Sequence, residues 1–182
     1  MPADQELIDS IINGNENAME ILTRKYYPNI FSFVYRKMGD KEVAYDLTQE
    51  IFIKMIKKIH TYSSKSTFKG WLYTIAANTC KDYWRSLNFK NLSKQSALPG
   101  NLKSKFNISH ILERNEKREE INTAINNLPD YQKEAIILKY FHDLKIKEIA
   151  KITGSTIPTV KSRLKQGLGK LAKVLDGGVN HE

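Results

Sequence analysis

The 182-residue chain has a single cysteine, Cys80, so it can close no internal disulfide and offers no thiolate cluster to a metal. Its four histidines, His60, His110, His142 and His181, are dispersed without ligand spacing. No glycine-rich phosphate loop or nucleophile elbow occurs, so neither a cofactor nor a covalent reaction is expected. No apolar run approaches the ~20 residues needed to span a bilayer. The opening "MPADQELIDS" is acidic and polar, unlike a secretory or transit leader. Sustained period-two alternation is missing too, which argues against sheets. Together these absences predict a cytoplasmic, all-α, non-enzymatic protein with no membrane insertion.

Positive charge, by contrast, is plentiful. Twenty-nine Lys and Arg against 20 Asp and Glu give a net charge of +9, which suits a polyanionic partner whose counterions are released on binding. The charge is also segregated. Residues 1–20 hold five acids and no Lys or Arg, whereas 161–173 hold five bases and no acid. That distribution favours a dedicated basic face over a uniformly solvated surface.

Helical periodicity dominates the first 90 residues. A short helix fits 5–12, with Leu7, Ile8, Ile11 and Ile12 on one side. A longer one carries Ala18, Ile21, Leu22 and Tyr26, is disturbed or restarted at Pro28, and resumes through Ile30, Phe33, Val34 and Met38. A third spans 41–59 on a stripe of Val43, Leu47, Ile51, Met55 and Ile59, widened by Phe52 and Ile56. A fourth starts near Ser66 or Thr67 and runs to about Leu87, with Phe68, Trp71, Leu72, Ile75, Ala76, Thr79 and Tyr83 inward. From Phe89 to Asn107 the composition turns to Asn, Ser and Lys around Pro99-Gly100, as in a flexible linker. The chain is therefore predicted to form two small helical domains, 1–90 and 110–175, joined by a linker at 91–109 and followed by a tail, 176–182.

The most specific local pattern is "KIKEIAKITGSTIPTVKSRLKQGL". Ile146, Ile149 and Ala150 share a face of a compact helix, and Gly154 supplies a sharp reversal. Ser155 or Thr156 caps a second helix, and Pro158 falls in its first turn, where no amide donor is missed. Val160, Leu164, Leu168, Leu171 and Leu175 form that helix's buried stripe. Thr159, Lys161, Ser162, Lys165 and Gln166 lie opposite, with donors suited to phosphates and base edges in a major groove. Gly167 and Gly169 each cost roughly 1 kcal/mol of helix propensity, so the far end is expected to fray. The bland alternative, a solvated amphipathic face, loses ground because the turn and the compact first helix precede it. This is a helix-turn-helix.

Three segments in order, "DLTQEIFIKMIKKI", "FKGWLYTIAANTCKDYWR" and "LPDYQKEAIILKYFHDLKIKEIAKITGSTIPTVKSRLKQGL", give the chain a resemblance to bacterial RNA polymerase sigma factors of the extracytoplasmic-function (ECF) group. The resemblance covers nearly the whole length apart from the linker. It implies that the helix holding Asp46, Gln49, Glu50 and Lys54 docks on the clamp helices of core RNA polymerase. It implies that Tyr62, Ser63, Ser64 and Lys65 form the loop that accepts a flipped base of the −10 element. Asn78, Lys81, Asp82 and Arg85 follow on the next helix to hold the melted strand. It further implies that Ser155, Thr156, Thr159, Lys161, Ser162, Arg163, Lys165 and Gln166 meet the −35 duplex. Trp71 reads as core, whereas Trp84 stays open between stacking and packing. Departures exist. Asp143 stands where glycine is usual, Lys145 replaces a hydroxyl cap, and the reader is poorer in arginine than many. The partners implied are core polymerase, promoter DNA and an anti-sigma factor. The competing reading is a stand-alone helix-turn-helix regulator with an N-terminal sensing or dimerisation domain.

Overall fold

The computed structural model describes residues 3–63, 67–93 and 120–177; Ser64, Lys65 and most of the expected linker lie outside them. Among the described residues there are helices and turns but no strand. The described helices are taken in two groups along the chain, an N-terminal unit and a C-terminal unit.

The first unit comprises α1 (Asp4–Ile12), α2 (Glu16–Met38), α3 (Lys41–Lys58), a 3-10 turn (Ile59–Thr61) and α4 (Phe68–Ser93). Each boundary has a local cause. Asn15 accepts the amide of Ala18 to start α2, and Asp40 accepts that of Val43 to start α3. Between these two helices Gly39 adopts φ 77°, a left-handed geometry that glycine occupies without strain. Thr67 Oγ1 accepts the Gly70 amide and opens α4. The core is formed by Leu22, Ile30, Phe33 and Val34 of α2, Ala44, Ile51 and Met55 of α3, and Leu72, Tyr73 and Ala76 of α4. Phe33 and Tyr73 meet edge to face with centroids 5.4 Å apart.

Four sequence expectations change here. Helix α2 passes through Pro28 without a break. Pro28 is exposed, so the carbonyl it leaves without a donor can turn to water, while Tyr26 and Ile30 anchor both halves in the core. Ile12, Ile21 and Ile56 face solvent rather than the core. Helix α1 instead meets α2 through Leu7 and Ile8, and α3 is buried through Leu47, Thr48, Ile51, Phe52 and Met55. Tyr73, which the expected inner stripe of α4 omits, is fully buried, because α4 packs against both α2 and α3. Lastly, α4 continues through residues 91–93, beyond its expected end near Leu87.

The second unit holds α5 (120–126), α6 (Asp130–Ile136) running into a π-helical turn (Ile137–Phe141), α7 (Ile146–Thr153) and α8 (Ile157–Gly177). Its core gathers Ala135, Ile136, Ile137 and Leu138 with Leu144, Ile149, Val160 and Leu164. Asp143, standing where glycine is usual, sits at φ 54°, a left-handed geometry that Asp can adopt, and Leu144 donates back to the Leu138 carbonyl at 3.1 Å.

Candidate nucleic-acid and protein interfaces

On α3 the side away from the core presents Asp46, Gln49 and Glu50, all exposed. Lys54 is only half exposed. Its Nζ lies 2.6 Å from Glu50 Oε1 and donates to Thr79 Oγ1 at 3.2 Å, so it links α3 to α4. Tyr45, Ile53 and Ile56 add apolar area to the same helix's exposed surface. Sequence reasoning missed the first two as surface residues and placed Ile56 inside. An acidic edge with apolar side chains beside it is suited to a protein partner, whose surface can desolvate it.

Beyond the 3-10 turn, Tyr62 is half-buried within an aromatic cluster. Its ring stands 5.6 Å from Phe68 and 5.5 Å from Trp71, and Phe68 in turn meets Tyr26 at 5.3 Å. Burial, and then the nearby Asp4 carboxylate, push the Tyr62 phenol above its ordinary pKa. Asp4 itself accepts from Tyr26 Oη at 2.5 Å and from Lys25 Nζ at 2.7 Å, which ties α1 to α2. The entrance to the loop is thus anchored in the aromatic cluster, and Ser63 is exposed just after it. Trp71 is half-buried in this cluster, partly as its core reading required. Trp84 is exposed.

Further along α4, Asn78, Asp82 and Arg85 follow one exposed face, and Lys81 is half-buried at its border. Arg85 Nη1 lies 3.6 Å from Asp82 Oδ1 in an exposed pair that leaves most donors open. Thr79 and Cys80 point inward and hold that face outward.

The helix-turn-helix forms as its sequence pattern requires. Gly154 adopts φ 62°, and the Ser155 amide donates to the Ala150 carbonyl at 2.9 Å. The open choice of cap resolves to Thr156, whose Oγ1 accepts the Thr159 amide at 3.3 Å. Where Lys145 lacks a hydroxyl, Glu148 Oε2 accepts its amide at 2.9 Å. Lys161, Ser162 and Lys165 are exposed on α8. Three other candidates are engaged inside the protein. Ser155 Oγ accepts from Arg163 Nη1 at 2.8 Å, and the Arg163 guanidinium lies over the Tyr131 ring at 5.5 Å. Gln166 is exposed but bonded to Gln132 and to Ser162.

The buried stripe of α8 departs from expectation after Leu164. It passes to Gly167, while Leu168 is 40% exposed and Leu171 half-buried. Helix α6 crosses α8 at Gly167, where a Cβ would stand 2.6 Å from Ile136 Cδ1. The glycine read as a weak point is where the two helices meet. Among the described residues no His, Cys, Asp or Glu cluster could hold a metal, and no helix is long and apolar enough to cross a membrane.

Comparison with known proteins finds two matching family descriptions. The family description Sigma-70 region 2 matches residues 22–89, and Sigma-70 region 4 matches 118–171. The chain is 30% identical over 169 residues to the ECF RNA polymerase sigma-E factor of Escherichia coli K12, covering 88% of each. It is 28% identical over 162 residues to the RNA polymerase sigma factor YlaC of Bacillus subtilis, covering 87% of this chain and 92% of that one. Among solved structures, it resembles the sigma factor RpoE bound to the anti-sigma factor NepR from Bartonella quintana, with TM-score 0.74 and 23% identity over 89% of this chain and 98% of that one. It also resembles CnrH in complex with the cytosolic domain of CnrY, with TM-score 0.71 and 19% identity over 97% and 99% of the two chains. These two likenesses bear on the fold, and the sequence matches bear on descent. The chain belongs to the RNA polymerase sigma factors, in their ECF group.

Proposed function

We propose that this sigma factor divides its task among three surfaces. The Asp46–Gln49–Glu50 edge of α3, with Ile53 and Ile56 beside it, takes the clamp of core polymerase. Lys54 contributes by holding that edge to α4. Tyr62 and the loop after it, including Ser63, Ser64 and Lys65, receive a base of the −10 element. Asn78, Lys81, Asp82 and Arg85 hold the strand that melting releases. Helix α8 lies in the major groove of the −35 duplex through Lys161, Ser162, Lys165 and Gln166, with Thr159 at the edge. Ser155, Thr156 and Arg163 support that helix and face the backbone beside it.

One observation carries the reading. After the Gly154 turn, α8 exposes Lys161, Ser162 and Lys165 on one side and buries Val160, Leu164 and Gly167 on the other. A helix fixed in this way presents cations and hydroxyls outward at groove depth. The protein performs no covalent chemistry, because promoter opening needs binding energy and charge, not bond transfer. It works in the cytoplasm, where core polymerase is. RpoE from Bartonella quintana is described with an anti-sigma factor, and the charged docking edge of α3 suits a similar inhibitor here.

The test is transcription in vitro with purified core enzyme on genomic DNA, with start-site mapping. Chain-dependent starts sharing two upstream elements are expected. Tight duplex binding without core, and no new start sites with it, would instead support a stand-alone regulator. Separately, the pair Asp46→Lys and Gln49→Lys should weaken core binding with helical content unchanged. Core binding at the wild-type level would remove α3 from the interface.

A further inference from the structure

Gln132 of α6 is only 1% exposed, so it touches neither solvent nor any partner. Its Nε2 nevertheless donates to Gln166 Oε1 of α8 at 3.0 Å, and Gln166 Nε2 donates to Ser162 Oγ at 3.0 Å. The bond is possible because Gly167 lets the helices close. A Cβ there would lie 3.6 Å from Gln132 Cβ as well as against Ile136. Burying a carboxamide is costly, and Gln132 Oε1 has no hydrogen-bond partner. An apolar side chain of equal length would pack there without that penalty. What the amide does, then, is hold Gln166.

We propose that Gln132 is a positioning residue that sets Gln166 to read adenine in the −35 element. The inference rests on the reading of Gln166 as a base contact. A free glutamine carboxamide has two N–H groups and two acceptor lone pairs, and it can turn either end toward a base. In this relay one lone pair is taken by Gln132 and one N–H by Ser162. A single N–H and a single lone pair remain. A serine hydroxyl donates or accepts, so the same remainder results with the relay running in either direction. Adenine offers one acceptor, N7, and one donor, N6–H, at its major-groove edge. Guanine offers two acceptors, which one N–H cannot satisfy, and thymine adds a methyl group to its single acceptor. The relay therefore matches adenine and disfavours the others by leaving a polar group unpaired.

Base preference can be read from holoenzyme, assembled from core polymerase and the full chain, on a promoter library randomised across the upstream element. Wild type should prefer adenine at one base pair by roughly ten- to hundredfold, as for a bidentate contact. Gln166→Ala should abolish the preference at that pair alone. Gln132→Leu should reduce it at the same pair by about fivefold or more while other pairs keep theirs. Gln132→Met, which preserves length and removes the amide, serves as the second variant should leucine disturb packing. If Gln166→Ala changes no pair, the base-contact reading fails and the inference falls with it. If Gln166→Ala acts but both Gln132 variants leave the preference intact, or lower binding evenly at every pair, the positioning role is wrong and the reader stands. A wild-type preference for any base but adenine at the Gln166-dependent pair also overturns it.

Discussion

Lys161, Lys165 and Arg163 are all basic and lie within five residues, yet the structure gives them different surroundings. The two lysines are exposed, whereas Arg163 bonds Ser155 and covers Tyr131. Alanine at either lysine is expected to lower the salt dependence of −35 binding by about one unit of slope, or to relax one base preference. Alanine at Arg163 should instead destabilise the second unit by roughly 1 kcal/mol, read by chemical denaturation. Equal stability loss in all three variants would dissolve the distinction. Asn78 makes a different case. It sits on the exposed face of α4 with Asp82 and Arg85, and it should act in opening DNA rather than in binding the duplex. Asn78→Ala should assemble with core normally but show weak permanganate reactivity on an intact promoter, partly restored on a pre-melted one. Full reactivity on both templates would pass the role to the neighbouring loop. The sequence exposed these residues because helical spacing sorts faces. It did not reveal that Arg163 and Gln166 are engaged, since the partners Tyr131 and Gln132 lie on another helix, more than thirty positions away.

At the level of the element, α8 carries two glycines of opposite meaning. Gly169 has open space around it, and Gly167 has Ile136 within 2.6 Å of a would-be Cβ. Gly169→Ala should therefore stabilise the second unit by about 1 kcal/mol, the ordinary helix-propensity gain. Gly167→Ala should fall short of that gain, because the same propensity is offset by displacing a buried side chain. Equal midpoints for the two variants in urea would show that α6 yields freely. Periodicity alone could not rank these positions, because it records where apolar residues recur and not where a helix needs a side chain missing. Pro28 shows the converse limit. Local propensity predicts an interruption there, but α2 remains whole because tertiary burial on both sides outweighs one lost donor. Tyr73 was likewise illegible, since a helix packed against two neighbours buries more than one stripe. Its phenol is raised well above the usual value of 10.0 by burial. A raised folded-state pKa favours the protonated form, so the stabilisation it gives is complete below pH 10 and declines as pH rises above it. Alkaline titration of the first unit's stability should show this loss. Tyr73→Phe should flatten it, and an unchanged slope would assign the loss to other groups.

Across the whole molecule, charge segregation was the most informative property of the sequence. It set an acidic stretch, residues 1–20, apart from a basic one, residues 161–173, before any helix was known. The sequence also made the four helices of the first unit and the helix-turn-helix legible, because caps and stripes are local. Within the first unit, one cross-helix tie joins the surface assigned to polymerase with the surface assigned to DNA. Glu50 pairs with Lys54, Lys54 bonds Thr79, and Thr79 is the neighbour of Asn78 in the chain. Lys54→Met should accordingly keep core affinity near wild type but slow open-complex formation, followed by the kinetics of permanganate reactivity. Unchanged kinetics would reduce the tie to a surface contact. If the tie holds, the first unit behaves as a gauge block. On the proposed roles, α3 and α4 would then fix the distance between the polymerase-docking edge and the strand-opening face, and the offset of the first transcribed base would follow from that length.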